Sequence, residues 1–380
     1  MGRIKKKVYA VVAALLALAT FSSCGIGGKG NDVAGSIREE TVMLTITEAR
    51  NPVVPYIPAV KKYLEAGASA NVSDYGGAEN QYRAVKISWQ CDSDKVAYYT
   101  VEYATKADYT DALCERVTEN TSLELFNLYK ATIYYVRVTA YGTNDEVFAR
   151  AESTLETTDV GPRFMKVDGI YNVRDLGGYI TQDGNRTVQG ILYRGGSLTP
   201  ADIYPHNLTN AGKAYMSDVM GIKTEIDFRS IAESGGHVES PIPGANLVYI
   251  TIGGYADAFG GYAQGYKEFF SALAVKENYP IYMHCTGGAD RTGTASFLLN
   301  ALLGVSELEC VQDYELTTFS IYSARNTKRG PYAKYYQDFR EKLDTYTGDT
   351  LQEKVETYLL EIGLTQTEID NIQAIMCGEK

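Results

Sequence analysis

Between Pro280 and Thr294 a short apolar run, residues 281–283, leads into His284-Cys285-Thr286-Gly287-Gly288-Ala289-Asp290-Arg291-Thr292. An apolar stretch of helical length, residues 292–303, follows it. A strand that turns sharply into a helix aims successive backbone N–H groups at one point, and the helix N-terminus adds partial positive charge there. Gly287 and Gly288 supply the backbone freedom and close approach such a nest needs. A thiol at its base has its thiolate stabilised by the same dipoles, and the thiolate is the nucleophile. Arg291, planar and always charged, can grip two phosphoryl oxygens and follow them into the transition state. Thr292 is placed to hydrogen-bond the sulfur as it leaves. The Cys-x5-Arg spacing alone says little. Strand, paired glycines, Arg-Thr-Gly and helix together read as a phosphate-binding cysteine loop, with Thr286, Gly287, Gly288, Ala289 and Thr292 facing the substrate. Cys310 and Cys377 lie in helical patterns and read as buried structural thiols.

The elements around this loop alternate between strand and helix after Asp168, which indicates an α/β domain over residues 164–380. An aromatic-rich stretch, residues 313–346, reads mainly as core, with a tyrosine-lined rim or lid as its other use. Residues 350–361 read as a helix, and Thr365-x-x-Glu368 as a capping box that opens another over 369–377. The front of the chain has a different period. Residues 42–47, 84–89, 98–103, 122–125 and 133–140 alternate in steps of two and are rich in Val, Thr and Tyr, so residues 41–159 read as an antiparallel all-β sandwich. A long insertion, residues 51–81, separates its first two strands and contains a short helix, 61–66, ended by Gly67. The fold class is therefore multidomain, an all-β sandwich followed by an α/β domain.

Composition agrees. The chain has 380 residues, 45% hydrophobic and 22% charged, which suits two globular domains. Its net charge of −11 argues against a nucleic-acid partner. Three histidines make a histidine-built metal centre improbable, so neither metal nor cofactor is expected. Four basic residues in the first seven, then an apolar run to Phe21, describe an export signal over residues 1–23. Phe21-Ser22-Ser23-Cys24 resembles the lipobox of bacterial lipoproteins, with Phe21 standing where Leu is usual; the resemblance implies lipidation at Cys24. Residues 24–40 read as a flexible tether. The chain is expected in the bacterial cell envelope, anchored to the membrane through its lipid.

Two further resemblances sharpen these readings. Trp89, Tyr98 to Tyr103, Leu128 and Tyr134-x-Val136-x-Val138-x-Ala140 resemble a fibronectin type III domain, which implies a spacer or a module for a protein or glycan partner. The loop, with Asn172-Val-Arg-Asp-Leu-Gly-Gly178, Gly190-Ile-Leu-Tyr-Arg194 and Asp227-Phe-Arg-Ser-x-x-Glu233, resembles the bacterial tyrosine/serine phosphatases of the cysteine-based protein tyrosine phosphatase superfamily. That resemblance implies a cysteinyl-phosphate on Cys285, a phosphate clamp at Arg291, and Asp290 as the acid and then the base. A carboxyl beside a bound phosphate is pushed by like charge towards its protonated form. Asp227 and Asp257 are the rival carboxylates, the latter in a glycine-rich loop, 253–265, that could move over the site. His284 is implied as a loop brace, Arg174 and Asn172 as cleft residues or supports, and Asp175 as a support. His206 and His237 read as surface histidines. Where the family usually has Lys this chain has Ala289, so a phosphotyrosine-containing protein or small phosphomonoester suits it better than a polyphosphate unless Arg194 or Lys223 restores the charge. The alternatives are a phosphoinositide or inositol-phosphate phosphatase and a silent surface protein that binds phosphorylated ligands.

Overall fold

A computed structural model describes residues 42–45, 52–76, 81–200 and 204–378. The export signal, Cys24 and the tether lie outside the described residues. In the front unit, β1 (Val42–Thr45), β2 (Val85–Cys91) and β5 (Ser122–Leu125) form one antiparallel sheet. The second is β4 (Leu113–Val117), β3 (Tyr98–Ala104), β6 (Ile133–Tyr141) and β7 (Val147–Glu156), in that order. Trp89, Val101, Val136 and Val138 are buried between the two. Two strands escape the sequence pattern, β4 and β7. Both are edge strands whose residues are half-buried or exposed, Leu155 in β7 excepted, so they lack the apolar alternation that marks a strand with one buried face.

The insertion carries α1 (Pro58–Ala66), which opens on Pro58, a favoured first helical residue, and stops at Gly67 with φ +62°. The helix is three residues longer than its expected span. Val60, Tyr63 and Leu64 turn one face inward and pack with Leu316 and Phe319 of the second unit.

The second unit is a six-stranded mixed sheet, β12 (Asn246–Tyr249), β11 (Thr224–Asp227), β13 (Ile281–His284), β10 (Leu192–Gly195), β9 (Arg174–Asp175) and β8 (Arg163–Phe164). The first four run parallel and the last two turn back antiparallel. Helices α2 (Asn210–Ala214), α3 (Ala263–Leu273), α4 (Arg291–Leu302), α5 (Glu307–Glu315), α6 (Pro331–Leu343), α7 (Leu351–Glu361) and α8 (Gln366–Cys377) complete it. Every residue of β13 is fully buried, as expected for a central parallel strand covered on both faces. From Thr292 onward α4 is buried all round, which explains why no charged residue interrupts it. Thr350 and Thr365 each form a complete capping box at the start of α7 and α8.

Candidate active site

Strand β13 ends at His284 and α4 begins at Arg291, so the loop leaves the carboxyl end of a central strand beside both of its parallel neighbours. Ligand crevices in open α/β sheets form at such points. The loop's carbonyls are all drawn outward. His284 Nδ1 lies 3.0 Å from the Cys285 carbonyl, and Ser197 N donates to Thr286 at 3.0 Å. Asn172 Nδ2 donates to Gly287 at 3.0 Å, and Arg194 Nη2 to Gly288 at 2.7 Å and Ala289 at 3.5 Å. A trans peptide points its N–H opposite its C=O. The amides of residues 286–290 therefore face the hollow, which is the nest the sequence implies. At Gly288, φ is +63° and a Cβ would lie 2.0 Å from the Gly195 carbonyl, so no other residue fits.

The Cys285 thiol sits at the floor, 4% exposed. Burial pushes its pKa up, but the Arg291 charge, the Thr292 hydroxyl and the Thr292 amide outweigh it, and the thiol ends below its ordinary value. The buried Thr292 Oγ1 makes no hydrogen bond of its own and lies close enough to the sulfur to favour the thiolate. Arg291 is held by Glu233 through two parallel bonds, Nη1 to Oε2 and Nη2 to Oε1, each 3.1 Å. The fork geometry fixes the guanidinium plane beside the thiol. Burial weakens its charge, but Cys285 and Glu233 together raise its pKa further. Glu233 is visible in the sequence as the end of a motif; its contact with Arg291 is not.

Two buried networks hold the loop's back. Asp313, in α5, takes Arg174 Nε at 2.6 Å and also pairs with Arg194 Nη1. Its two arginine partners outweigh burial and keep its carboxyl below the usual range. Arg174 Nη1 also donates to Asn172 Oδ1 at 2.7 Å, and since guanidinium only donates, this fixes the Asn172 amide with its NH2 on the loop carbonyls. Arg174 is thus spent on bracing. Arg194, considered as a replacement cation for the missing Lys, is fully buried and spent in the same way. Burial and the neighbouring Arg174 push it down to about 10. Lys223 precedes β11 at the far end of the strand from Asp227, which pairs with His284. Neither reaches the rim.

On the other side, His284 Nε2 lies 2.8 Å from Glu225 Oε1. Both ring nitrogens face acceptors, and although burial opposes a charge, Asp227 and Glu225 raise the pKa and favour the imidazolium. Asp227 is turned inward, bonded to the Arg229 amide at 2.9 Å and to its guanidinium at 2.7 Å. At 1% exposed it has no open side towards a leaving group and is a brace, which removes it as a candidate acid, whereas the Asp290 side chain is 36% exposed. Asp257 is exposed in a turn beside α3. The glycine-rich loop that carries it is tied down by the Tyr255 amide on Thr294 Oγ1 at 2.8 Å and by Tyr266 Oη on the Gly253 carbonyl at 2.7 Å.

Asp290 stands at the N-terminus of α4. The sequence sets it beside a like charge, the bound phosphate. The fold also sets it beside Arg325, Nε to Oδ1 2.7 Å and Nη2 to Oδ2 2.9 Å, and Tyr255 donates to Oδ1. Arg325 lies over the Tyr332 ring, 4.1 Å from its centroid. From the same segment Tyr322 covers Gly287, where a Cβ would come within 3.1 Å of the ring. The Tyr322 hydroxyl meets His206 Nε2 at 2.5 Å, and His206 Nδ1 meets Ser197 Oγ at 2.8 Å. His206 is therefore not a surface histidine: it is 3% exposed, and burial pushes its pKa down to about 4. His237 is exposed. Tyr322 belongs to the aromatic stretch, 313–346, whose second reading is a tyrosine-lined rim; nothing in the sequence pattern marks Arg325, which comes from an irregular segment between helices.

A family model described as the tyrosine phosphatase family matches residues 165–378. The chain belongs to the tyrosine phosphatase family. A Cupriavidus necator protein named "Putative tyrosine-protein phosphatase" is 29% identical over 179 residues, 40% of this chain and 63% of that one. A Nostoc commune tyrosine-protein phosphatase is 36% identical over 52 residues, 14% of this chain and 18% of the other. The chain thus spans less than two thirds of either relative. Among solved structures, the catalytic domain of the PP-IP phosphatase SIW14 from S. cerevisiae is 13% identical, covering 42% of this chain and 88% of that one at a TM-score of 0.27.

Proposed function

We propose that this family member is a cysteine-dependent phosphomonoesterase of the protein tyrosine phosphatase type, exported, anchored at Cys24 by lipid in the cell envelope, and fronted by a fibronectin type III-like domain. The observation that carries the enzymatic reading is the ring of outward carbonyls from Cys285 to Ala289, which leaves five amides facing a thiol of lowered pKa. The anchor rests on the order of charge, apolar run and Ser-Ser-Cys at the start of the chain.

In the first step the Cys285 thiolate attacks phosphorus and the bond from phosphorus to the leaving oxygen breaks. That oxygen takes a proton from Asp290. In the second, water attacks phosphorus, gives its proton to Asp290, and the sulfur–phosphorus bond breaks. Arg291 and the loop amides hold the three remaining phosphoryl oxygens, and the Thr292 hydroxyl stabilises the departing sulfur. A phosphotyrosine-containing protein or a small phosphomonoester is the favoured substrate class. Arg174, Arg194 and Arg229 are each closed by a buried aspartate and Arg325 by Asp290, so further phosphates find few open cations. The test is hydrolysis of p-nitrophenyl phosphate, with and without chelator, by wild type and Cys285→Ser. Activity lost only in the variant supports the mechanism; activity that survives it, or vanishes on chelation, overturns it. A silent phospho-ligand binder would bind phosphate without turnover.

A further inference from the structure

The segment that bears Tyr322 and Arg325 is gripped from behind by the front domain. Asn326, 3% exposed, donates to Asn71 Oδ1 at 2.7 Å and Ser73 Oγ at 2.6 Å. Lys328 Nζ donates to the carbonyls of Ala68, at 2.6 Å, and Ala70. Arg329 pairs with Asp74 at 3.3 Å. All of these acceptors belong to the insertion between β1 and β2. Glu315 links the two sides: its Oε2 accepts from Tyr63 of α1, and its Oε1 takes the Thr327 amide at 2.7 Å. The insertion also reaches a residue that holds the loop. Gln81 Nε2 donates to Leu316 O at 2.7 Å and to Asn172 Oδ1 at 3.1 Å, and Asn172 holds the Gly287 and Gly288 carbonyls from its other side.

We infer that the insertion of the front domain is a positioning element of the catalytic centre: it clamps residues 320–329 so that Tyr322 stays over Gly287 and Arg325 stays on Asp290, and through Gln81 it sets Asn172 against the loop. A mere linker between domains requires none of this. Its contacts would fall on surfaces away from the loop, whereas these fall on Asn172, which holds the loop, and on Asn326, next to the Arg325 that holds Asp290. The two routes are independent: one runs through Asn326 to Arg325 and Asp290, the other through Gln81 and Asn172 to the loop carbonyls. Both end on groups whose orientation decides rate, where displacement of about 1 Å can cost on the order of a hundredfold.

This inference rests on the phosphomonoesterase reading, and the experiment separates the two. In the full chain, Asn71→Ala with Ser73→Ala removes both acceptors of Asn326, and Gln81→Ala cuts the second route. Turnover is measured on phenyl phosphate, whose leaving group needs a proton, and on p-nitrophenyl phosphate, whose leaving group needs one less. Hydrogen exchange is followed over residues 320–329. Expected are faster exchange in that segment for the double variant and about a tenfold loss of kcat/KM on phenyl phosphate, with a smaller loss on p-nitrophenyl phosphate. The double variant should add little to the loss in Arg325→Ala, because both act through one contact. Lys61→Ala, on the exposed face of α1, should match wild type. Lys328→Met, at an exposed position, provides a milder strap variant should the double variant fold poorly. Folded variants with unchanged exchange and equal kinetics on both substrates would overturn the inference while Cys285→Ser remains inactive. Turnover by Cys285→Ser would instead overturn the reading beneath it.

Discussion

Cys285 and Cys310 lie in the same apolar cluster, 4% and 0% exposed, yet their surroundings drive the two thiols in opposite directions. At both, burial disfavours the thiolate. At Cys285 the Arg291 charge with the hydroxyl and amide of Thr292 reverses that effect. At Cys310, Asp313, Glu309 and Glu307 add to it and push the pKa well up, and the thiol donates to the Val305 carbonyl at 3.7 Å. Cys285 precedes a helix, where amides are unspent; Cys310 lies within α5 and faces carboxylates. Reactivity here follows what faces the sulfur, not how deeply it is buried.

The largest effect expected from that contrast is on turnover. Cys285→Ser should lower kcat by on the order of ten-thousandfold or more, while Cys310→Ala should keep it and cost about 1–2 kcal/mol in urea unfolding. Equal losses from the two would break the comparison. Arg291→Lys comes next: an ammonium keeps the charge but loses the fork, and kcat/KM should fall by roughly a hundredfold or more, with weaker inhibition by vanadate. A loss under threefold would mean that charge alone, without the Glu233-fixed plane, serves the loop.

A smaller effect extends the contrast to histidines. His284 faces acceptors on both nitrogens and its pKa rises; that of His206 falls to about 4. Ser197 donates its own proton to Thr199 O, so His206 Nδ1 donates to Ser197 and its bare Nε2 accepts from Tyr322. The folded pKa of His206 lies below the unfolded value of about 6.5. Its contribution to stability is therefore complete above about 6.5 and is lost as pH falls towards 4, since the unfolded chain binds the extra proton. Unfolding midpoints measured across that window should drop with pH in wild type and drop less in His206→Gln. Identical slopes would contradict the assignment.

The loop was legible in the sequence because its parts are contiguous: β13, the two glycines, Arg291 and α4 follow one another within the chain. The capping threonines and the strands with one buried face were legible for the same reason, a local pattern with a local cause. What stayed hidden depends on distant pairing. Arg194 reads as a free cation until Asp313, 119 residues later, closes it. His206 looks like a surface residue until Tyr322 covers it, and Asp227 a plausible acid until Arg229 folds back on it. Arg325 lies in an irregular segment, and no periodicity announces that it will meet Asp290. Edge strands β4 and β7 fail for a related reason, since their partners supply the order that their own residues do not encode.

The most direct test is the ultraviolet absorbance of the thiolate, taken as the difference between wild type and Cys285→Ser while pH is raised. Expected is a midpoint below the ordinary thiol value of 9.0, moved upward in Thr292→Val as the hydroxyl that favours the thiolate is lost. A midpoint at or above 9.0 in wild type, or one that Thr292→Val leaves in place, would contradict a loop-stabilised thiolate.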